Sequence, residues 1–195
     1  INSTYQPTQG NDPQVLSLPQ TLPQPLSIQS LVILNGPIIP EHLRLRFIQK
    51  VFNSPFGWIA SQLTSRFLFE KSFSAVFGEN TQPSTKALND DWFVISQQTG
   101  QKISHKLIHY YNDSIQRRDR WLSAIKETDV PVLSITGLAD PVAGKHMVEK
   151  YQELVPDSEV IALKSIGHYP HIEDSKSVIA YYEKFMLSSG KNVIF

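Results

Sequence analysis

The chain has 195 residues, of which 41% are hydrophobic and 18% charged, and its 18 basic and 18 acidic side chains cancel. That length suits a single globular domain, and the balanced charge leaves no electrostatic footprint for nucleic acid or an anionic membrane surface. The lack of cysteine excludes disulfides and thiolate chemistry within the chain, and no apolar run reaches the roughly 18 residues of a membrane span; the expectation is a soluble protein, with the cytoplasm as default compartment and no statement on oligomeric state.

Residues 1–28 are rich in Gln, Pro, Ser and Thr, and Asp12 is their only charge. Such a segment has too little apolar surface to offset its ordering entropy and reads as a disordered loop or linker. Ile28 to Asn35 is the first predicted strand. Its continuous apolar run Leu31 to Leu34 suits a parallel strand covered on both faces, and Asn35-Gly36-Pro37 breaks it.

A long helical stretch follows. Pro40 fits a first helical turn, and Leu43, Phe47, Ile48, Val51 and Phe52 share one face. Ser54-Pro55 reads as a cap and first residue of a helix whose stripe is Phe56, Ile59, Ala60, Leu63 and Phe67. Phe67 to Gly78 is aromatic and expected to be partly irregular. Pro83-Ser84 opens a helix bearing Leu88, Trp92 and Ile95, which Thr99-Gly100 ends. Ile103, Leu107, Ile108 and Tyr111 mark the next, and a break at Asn112-Asp113 precedes one carrying Trp121, Leu122 and Ile125. The insertion is far longer than the dozen or so residues a plain crossover between parallel strands needs.

Val130 to Thr136 is the second predicted strand and Glu159 to Leu163 the third. A helix through Met147, Val148, Tyr151 and Leu154 joins them. Another, through Val178, Ile179, Tyr182 and Phe185, follows, with Asp174 or Ser175 as its cap. Residues 190–195 form a fraying tail.

The chemistry concentrates on two turns. Asp140 follows the second strand, behind Gly137, and His168 follows the third, behind Gly167. An acid and a histidine on successive strand ends make an acid–base pair that lacks only a nucleophile. The plainer readings are a turn-forming aspartate and a surface-loop histidine. His105 and His109 lie four apart, and His168 and His171 three apart. HKLIH lacks the glutamate of a helical zinc site, and no third ligand is recognisable, so neither metal nor cofactor is expected. Trp92 and Trp121 read first as helical core, with Trp92 also a candidate for the wall of an apolar substrate pocket. Asn35 and Gly36, at the end of the first strand, are candidates for its border. Arg117, Arg118 and Arg120 around Asp119 read as a solvated, ion-paired face, with an anion-binding rim as the alternative.

Gly137, Asp140, Pro141 and Val142 form a G-x-x-D-P-V-like turn, and Gly167, His168, Pro170 and Glu173 a G-H-x-P-x-x-E turn. Together they resemble the C-terminal motifs of the α/β-hydrolase superfamily. NGPIIPEHLR, FGENTQPS and YYNDSIQRRDRW resemble its mesoderm-specific-transcript branch, near haloalkane dehalogenases and epoxide hydrolases. The likeness covers about residues 30–188 and departs at Ser175, where many members have proline. It implies an α/β fold: the C-terminal three parallel strands of such an enzyme, with a helical cap inserted after the first. Core would be 29–37 and 128–189, and cap 38–127.

The resemblance further implies hydrolysis of an ester, epoxide or carbon–halogen bond in a small, apolar substrate by a nucleophile–His168–Asp140 triad. The family order, nucleophile then acid then histidine, places the nucleophile upstream in G-x-S-x-G or H-D-x-G. Neither string occurs among the nine glycines. The chain therefore reads as the C-terminal part of a longer enzyme, inactive alone. A non-catalytic binding or scaffold relative, and an acyltransferase of the same fold, are the alternatives.

Overall fold

The computed structural model of the chain describes residues 28–189, so the expected loop before Ile28 and the tail at 190–195 lie outside the described residues. Three parallel strands, β1 (Leu31–Leu34), β2 (Val132–Gly137) and β3 (Glu159–Leu163), form one sheet in the order β1-β2-β3. The register pairs Ile33 with Ser134 and Ile135 with Ile161. β3 has the bounds its apolar run predicts. β1 and β2 start later than predicted, because Pro131 offers a carbonyl to Leu31 N–H but has no amide of its own for the ladder.

The alternation of side chains sorts the sheet into two faces. Leu133 and Ile135, wholly buried, pack with Val32, Leu34 and Ile161 against Val178 and Phe185. These last two lie on a helix spanning Ser175–Ser188. On the other face Ile33 and Val160 meet Met147 and Tyr151 of a helix spanning Lys145–Leu154. Each fully buried Leu or Ile stabilises the fold by about 1.5–3 kcal/mol. Ser134 and Thr136, also buried, satisfy their hydroxyls on each other at 3.2 Å.

Between β1 and β2 the described chain is helical without a strand. After a single 3-10 turn at Pro40–His42 come α1 (Phe47–Phe52), α2 (Gly57–Gln62), α3 (Arg66–Ser74), α4 (Thr85–Ser96), α5 (Ser104–Leu107), α6 (Tyr110–Gln116) and α7 (Arg118–Lys126). The helices after β2 are then α8 (Lys145–Leu154), α9 (Pro170–Glu173) and α10 (Ser175–Ser188). Among the described residues, no helix is long and apolar enough to cross a membrane. Ser84 caps α4 by accepting from Ala87 N–H, and Asp174 caps α10 by accepting from Ser177 N–H.

The insertion departs from its sequence pattern in several places. Ser54 does not cap a helix; its hydroxyl donates to Val51 O at 2.7 Å and closes a turn, and α2 begins at Gly57. The stripe through Phe56, Leu63 and Phe67 is not one helix face. Ser65 accepts from Leu68 N–H and starts α3 there, and these three side chains are each 70% exposed or more. The buried side of α2 is instead small: Gly57 lies against the Phe52 carbonyl, and Ser61 Oγ accepts from His105 N–H at 3.0 Å. Leu43 precedes the first helix rather than belonging to it, and Phe47 is exposed. Phe67 to Gly78 is irregular only at its end: Phe67 to Ser74 is regular helix and Ala75 to Gly78 is not. α4 stops at Ser96, because Gln98 and Thr99 take positive φ. Asn112 and Asp113 sit inside α6, held by the pairing of the Asn53 and Asn112 amides at 3.0 and 3.1 Å, and the break before the helix carrying Trp121 falls at Arg117 instead. Trp121 lies at the surface rather than in a helical core.

Candidate active site

The loop after β2 is built to hold one carboxylate. Asp140 is buried, and its Oδ1 accepts from Val142 N–H at 2.7 Å. Its Oδ2 accepts from Ala143 N–H at 3.1 Å, the Asn35 amide at 2.9 Å and His168 Nδ1 at 2.7 Å. Burial by itself would raise this carboxyl; the hydrogen bond and charge of His168, then the Val142 and Asn35 donors, outweigh it and hold the group below its ordinary range. Asn35 is placed by the end of β1. It sits at φ 43°, a left-handed conformation that asparagine tolerates better than most residues. Its Oδ1 accepts from Gly137 N–H at 2.7 Å, so one amide ties β1, β2 and the acid together.

The His168 loop is fixed from two sides. Its own N–H donates to Val76 O at 2.8 Å. The Glu173 carboxylate, one turn on, accepts from Gly167 N–H at 2.8 Å and Tyr169 N–H at 3.0 Å on this loop. The same carboxylate accepts from Gly78 N–H at 2.8 Å and the Thr81 hydroxyl at 2.5 Å, on the segment after α3. Gly167 is required: a Cβ there would lie 2.3 Å from Val76 O and 2.6 Å from Gly78 N, both backbone atoms that cannot rotate away.

With Nδ1–H donating to Asp140, the lone pair of a neutral His168 is on Nε2. No group among the described residues hydrogen-bonds Nε2. The ring lines a cavity of about 220 Å³ with Ile48, Phe69, Phe73, Val142 and Tyr169. Tyr169 meets the imidazole edge-on at 4.9 Å, and its hydroxyl is shifted to higher pKa by burial and by nearby Asp91 and Asp140.

Asp140, His168 and Asn35 are thus brought together from three strand ends. Gly36 is not with them; it borders a separate surface hollow with Ile33, Pro37, Ile38, Trp121 and Ile125. Trp92 is half-buried and lines a neighbouring cavity rather than the one at His168. Arg118 bridges Glu41 at 2.6 Å and Asp119 at 2.5 Å across the surface, while Arg117 and Arg120 line a shallow hollow beside Tyr110 and Trp121. Among the described residues no cluster of His, Asp and Glu could hold a metal ion. Ser72 borders the His168 cavity, but it sits in the middle of α3, not on a strand–helix elbow. The pocket's aromatic wall of Phe69 and Phe73 was not singled out from the sequence, although these residues and Phe77 behind them recur at helical spacing; Phe69 stacks on Phe73 at 5.3 Å, and Phe73 meets Phe77 edge-on at 5.2 Å.

No known family profile matches the chain. A Mycobacterium tuberculosis protein named "Putative hydrolase LipZ" is 34% identical over 153 residues, covering 78% of this chain and 53% of that protein. The mouse (Mus musculus) mesoderm-specific transcript protein is 32% identical over 169 residues, covering 84% of this chain and 50% of its own length. The chain therefore spans about half the length of the curated relatives it matches. In fold it is similar to the crystal structure of the Cif epoxide hydrolase from Acinetobacter nosocomialis, with a TM-score of 0.64 over 82% of this chain and 54% of that one, at 18% identity.

Proposed function

Because this chain belongs to the α/β-hydrolase superfamily, we propose that it supplies the acid and the base of a hydrolytic triad acting on an ester, an epoxide or a carbon–halogen bond. The observation that carries this reading is the 2.7 Å Asp140–His168 hydrogen bond, which assigns the basic nitrogen of a ring lining a largely apolar cavity. The nucleophile belongs on the strand that pairs with the outer edge of β1, in sequence beyond these 195 residues, and the helical insertion between β1 and β2 serves as the cap.

If that nucleophile is an aspartate, its oxygen attacks the electrophilic carbon and expels halide or opens the epoxide, forming an ester to the enzyme. His168 Nε2 then takes a proton from water as the hydroxide equivalent attacks the ester carbonyl; the tetrahedral intermediate expels the product alkoxide, which takes that proton and departs as the alcohol, and the aspartate carboxylate is restored. If it is a serine, His168 takes the hydroxyl proton first and returns it to the leaving alkoxide, and an acyl-enzyme is hydrolysed in the second half. Asp140 holds the imidazole orientation and stabilises the imidazolium in both.

The test is His168→Gln in the full-length protein, assayed with aryl esters, terminal epoxides and haloalkanes. Turnover is expected to fall at least 10³-fold, within the range such bases supply. With an aspartate nucleophile the alkyl-enzyme accumulates and is seen as added mass. Near-normal turnover in this variant would refute the assignment of the base.

A further inference from the structure

Beside the His168 cavity lies a second one, of about 240 Å³, bordered by α1, α3, α4, Gly100-Gln101 and α5. Ile48, Phe69 and Ser72 line both, so the two are neighbours across one wall. The rings mark that wall. Phe69 stacks on Phe73 of the first cavity at 5.3 Å and leans on Trp92 of the second at 5.6 Å.

The second cavity offers little to a polar group. Phe52, Leu68, Trp92 and Ile95 form much of its surface, and no charged residue lines it. The hydroxyls of Thr64 and Ser104, which also border it, are spent on the carbonyls of Ala60 and Gln101 at 3.3 and 2.8 Å. Gln101 also borders it, with a buried Oε1 that has no partner among the described residues; a space otherwise lined by hydrocarbon favours an occupant that is mainly apolar. The wall it shares with the His168 cavity points to which one: the far end of a molecule whose reacting group lies at His168.

We infer that the second cavity is a chain subsite, and that the substrate class is esters or terminal epoxides bearing an unbranched, uncharged hydrocarbon chain that passes Phe69 into the insertion. The inference rests on the triad reading for where the reacting group sits. Leu68, which lines the second cavity but not the one at His168, then sets how long a chain fits. Each methylene that enters the subsite should raise kcat/KM roughly fourfold until the space is full.

The test uses the full-length protein and two series, 4-nitrophenyl esters from acetate to dodecanoate and 1,2-epoxyalkanes of matching length. Leu68→Phe should move the optimum to shorter chains and lower the long-to-short ratio of kcat/KM at least tenfold. Leu68→Ala should move the optimum to longer chains. Opposite shifts from one position are not produced by general damage to the fold. A kcat/KM independent of chain length, or the same optimum in all three proteins, would overturn the subsite while leaving the triad standing. Binding is read separately. In a Trp58→Phe, Trp121→Phe background, 1-decanol should blue-shift Trp92 emission, and Leu68→Phe should weaken that binding at least tenfold. If decanol binds so but no substrate turns over in any protein, the subsite stands and the triad reading fails. If decanol leaves Trp92 unmoved, the subsite is refuted.

Discussion

Glu173→Ala should strongly destabilise the protein. The carboxylate accepts four hydrogen bonds at once, three on Oε2 and one on Oε1, from Gly78, Thr81, Gly167 and Tyr169. A hydrogen bond to a charged group contributes about 1.5–3 kcal/mol, and donors left without a partner lose part of their desolvation as well. The site is only partly buried, so water recovers some of this, and bonds that share one carboxylate do not add. The expected loss is about 3–5 kcal/mol. Glu173→Gln keeps one acceptor oxygen but turns an NH2 toward either Tyr169 N–H or the cluster of three, and should cost about 1–3 kcal/mol. Urea denaturation followed by circular dichroism measures both. The ¹⁵N shifts of the His168 imidazole report whether the ring still donates to Asp140. A loss below about 1 kcal/mol in the alanine variant, with the imidazole shifts unchanged, would show that the clamp neither stabilises nor positions.

Asn35→Gly keeps the backbone conformation at φ 43° and deletes the amide; it should cost about 1–3 kcal/mol in urea melts through the lost Asp140 and Gly137 partners. Gly167→Ala forces a Cβ into the Val76 and Gly78 backbone and should cost roughly 1–3 kcal/mol or more, visible as a lowered denaturation midpoint. The Asp140 carboxyl is depressed in the folded state, so between its folded and unfolded values the unfolded chain binds more protons and stability rises with pH. Its contribution is present above about pH 4 and is lost as pH falls through the folded value. Asp140→Asn should flatten the stability–pH slope in that acid window; an unchanged slope would show that the depression is absent.

The sheet was legible because its signal is local. A short apolar run stopped by Lys164-Ser165 gives β3 residue for residue, and Asp140 and His168 follow from the turns behind Gly137 and Gly167. Asn35 was legible as a position, though not as a hydrogen-bond donor to the acid. The insertion was harder, because short helices carry too few turns for a periodicity to declare its face. Phe56, Leu63 and Phe67 have core-like spacing yet lie exposed, while Gly57 and Ser61 make the close contact that orders α2. Glu173 was legible as a member of the G-H-x-P-x-x-E turn, but not as a clamp on the segment after α3. Its partners Gly78 and Thr81 are 95 and 92 residues away, and nothing in a single sequence marks one amide and one hydroxyl as donors to a distant carboxylate.

The β1–β2 register also orders events in time. Ile33 meets Ser134 across 101 residues of chain, whereas Ile135 meets Ile161 across 26. Loop-closure entropy grows with the logarithm of length, so the longer closure costs about 1 kcal/mol more before any contact rewards it, and distant pairings are formed slowly. The β2–α8–β3 unit can therefore assemble first, with Asp140 and His168 already on adjacent strand ends. Asn35 arrives only when β1 docks. The acid–base pair would then exist for a time without its amide brace, and this interval sets when the site becomes competent during refolding. Pulse-labelled hydrogen exchange would show it as protection of Val160–Leu163 amides ahead of Leu31–Leu34; simultaneous protection would mean that the insertion collapses early enough to shorten the loop.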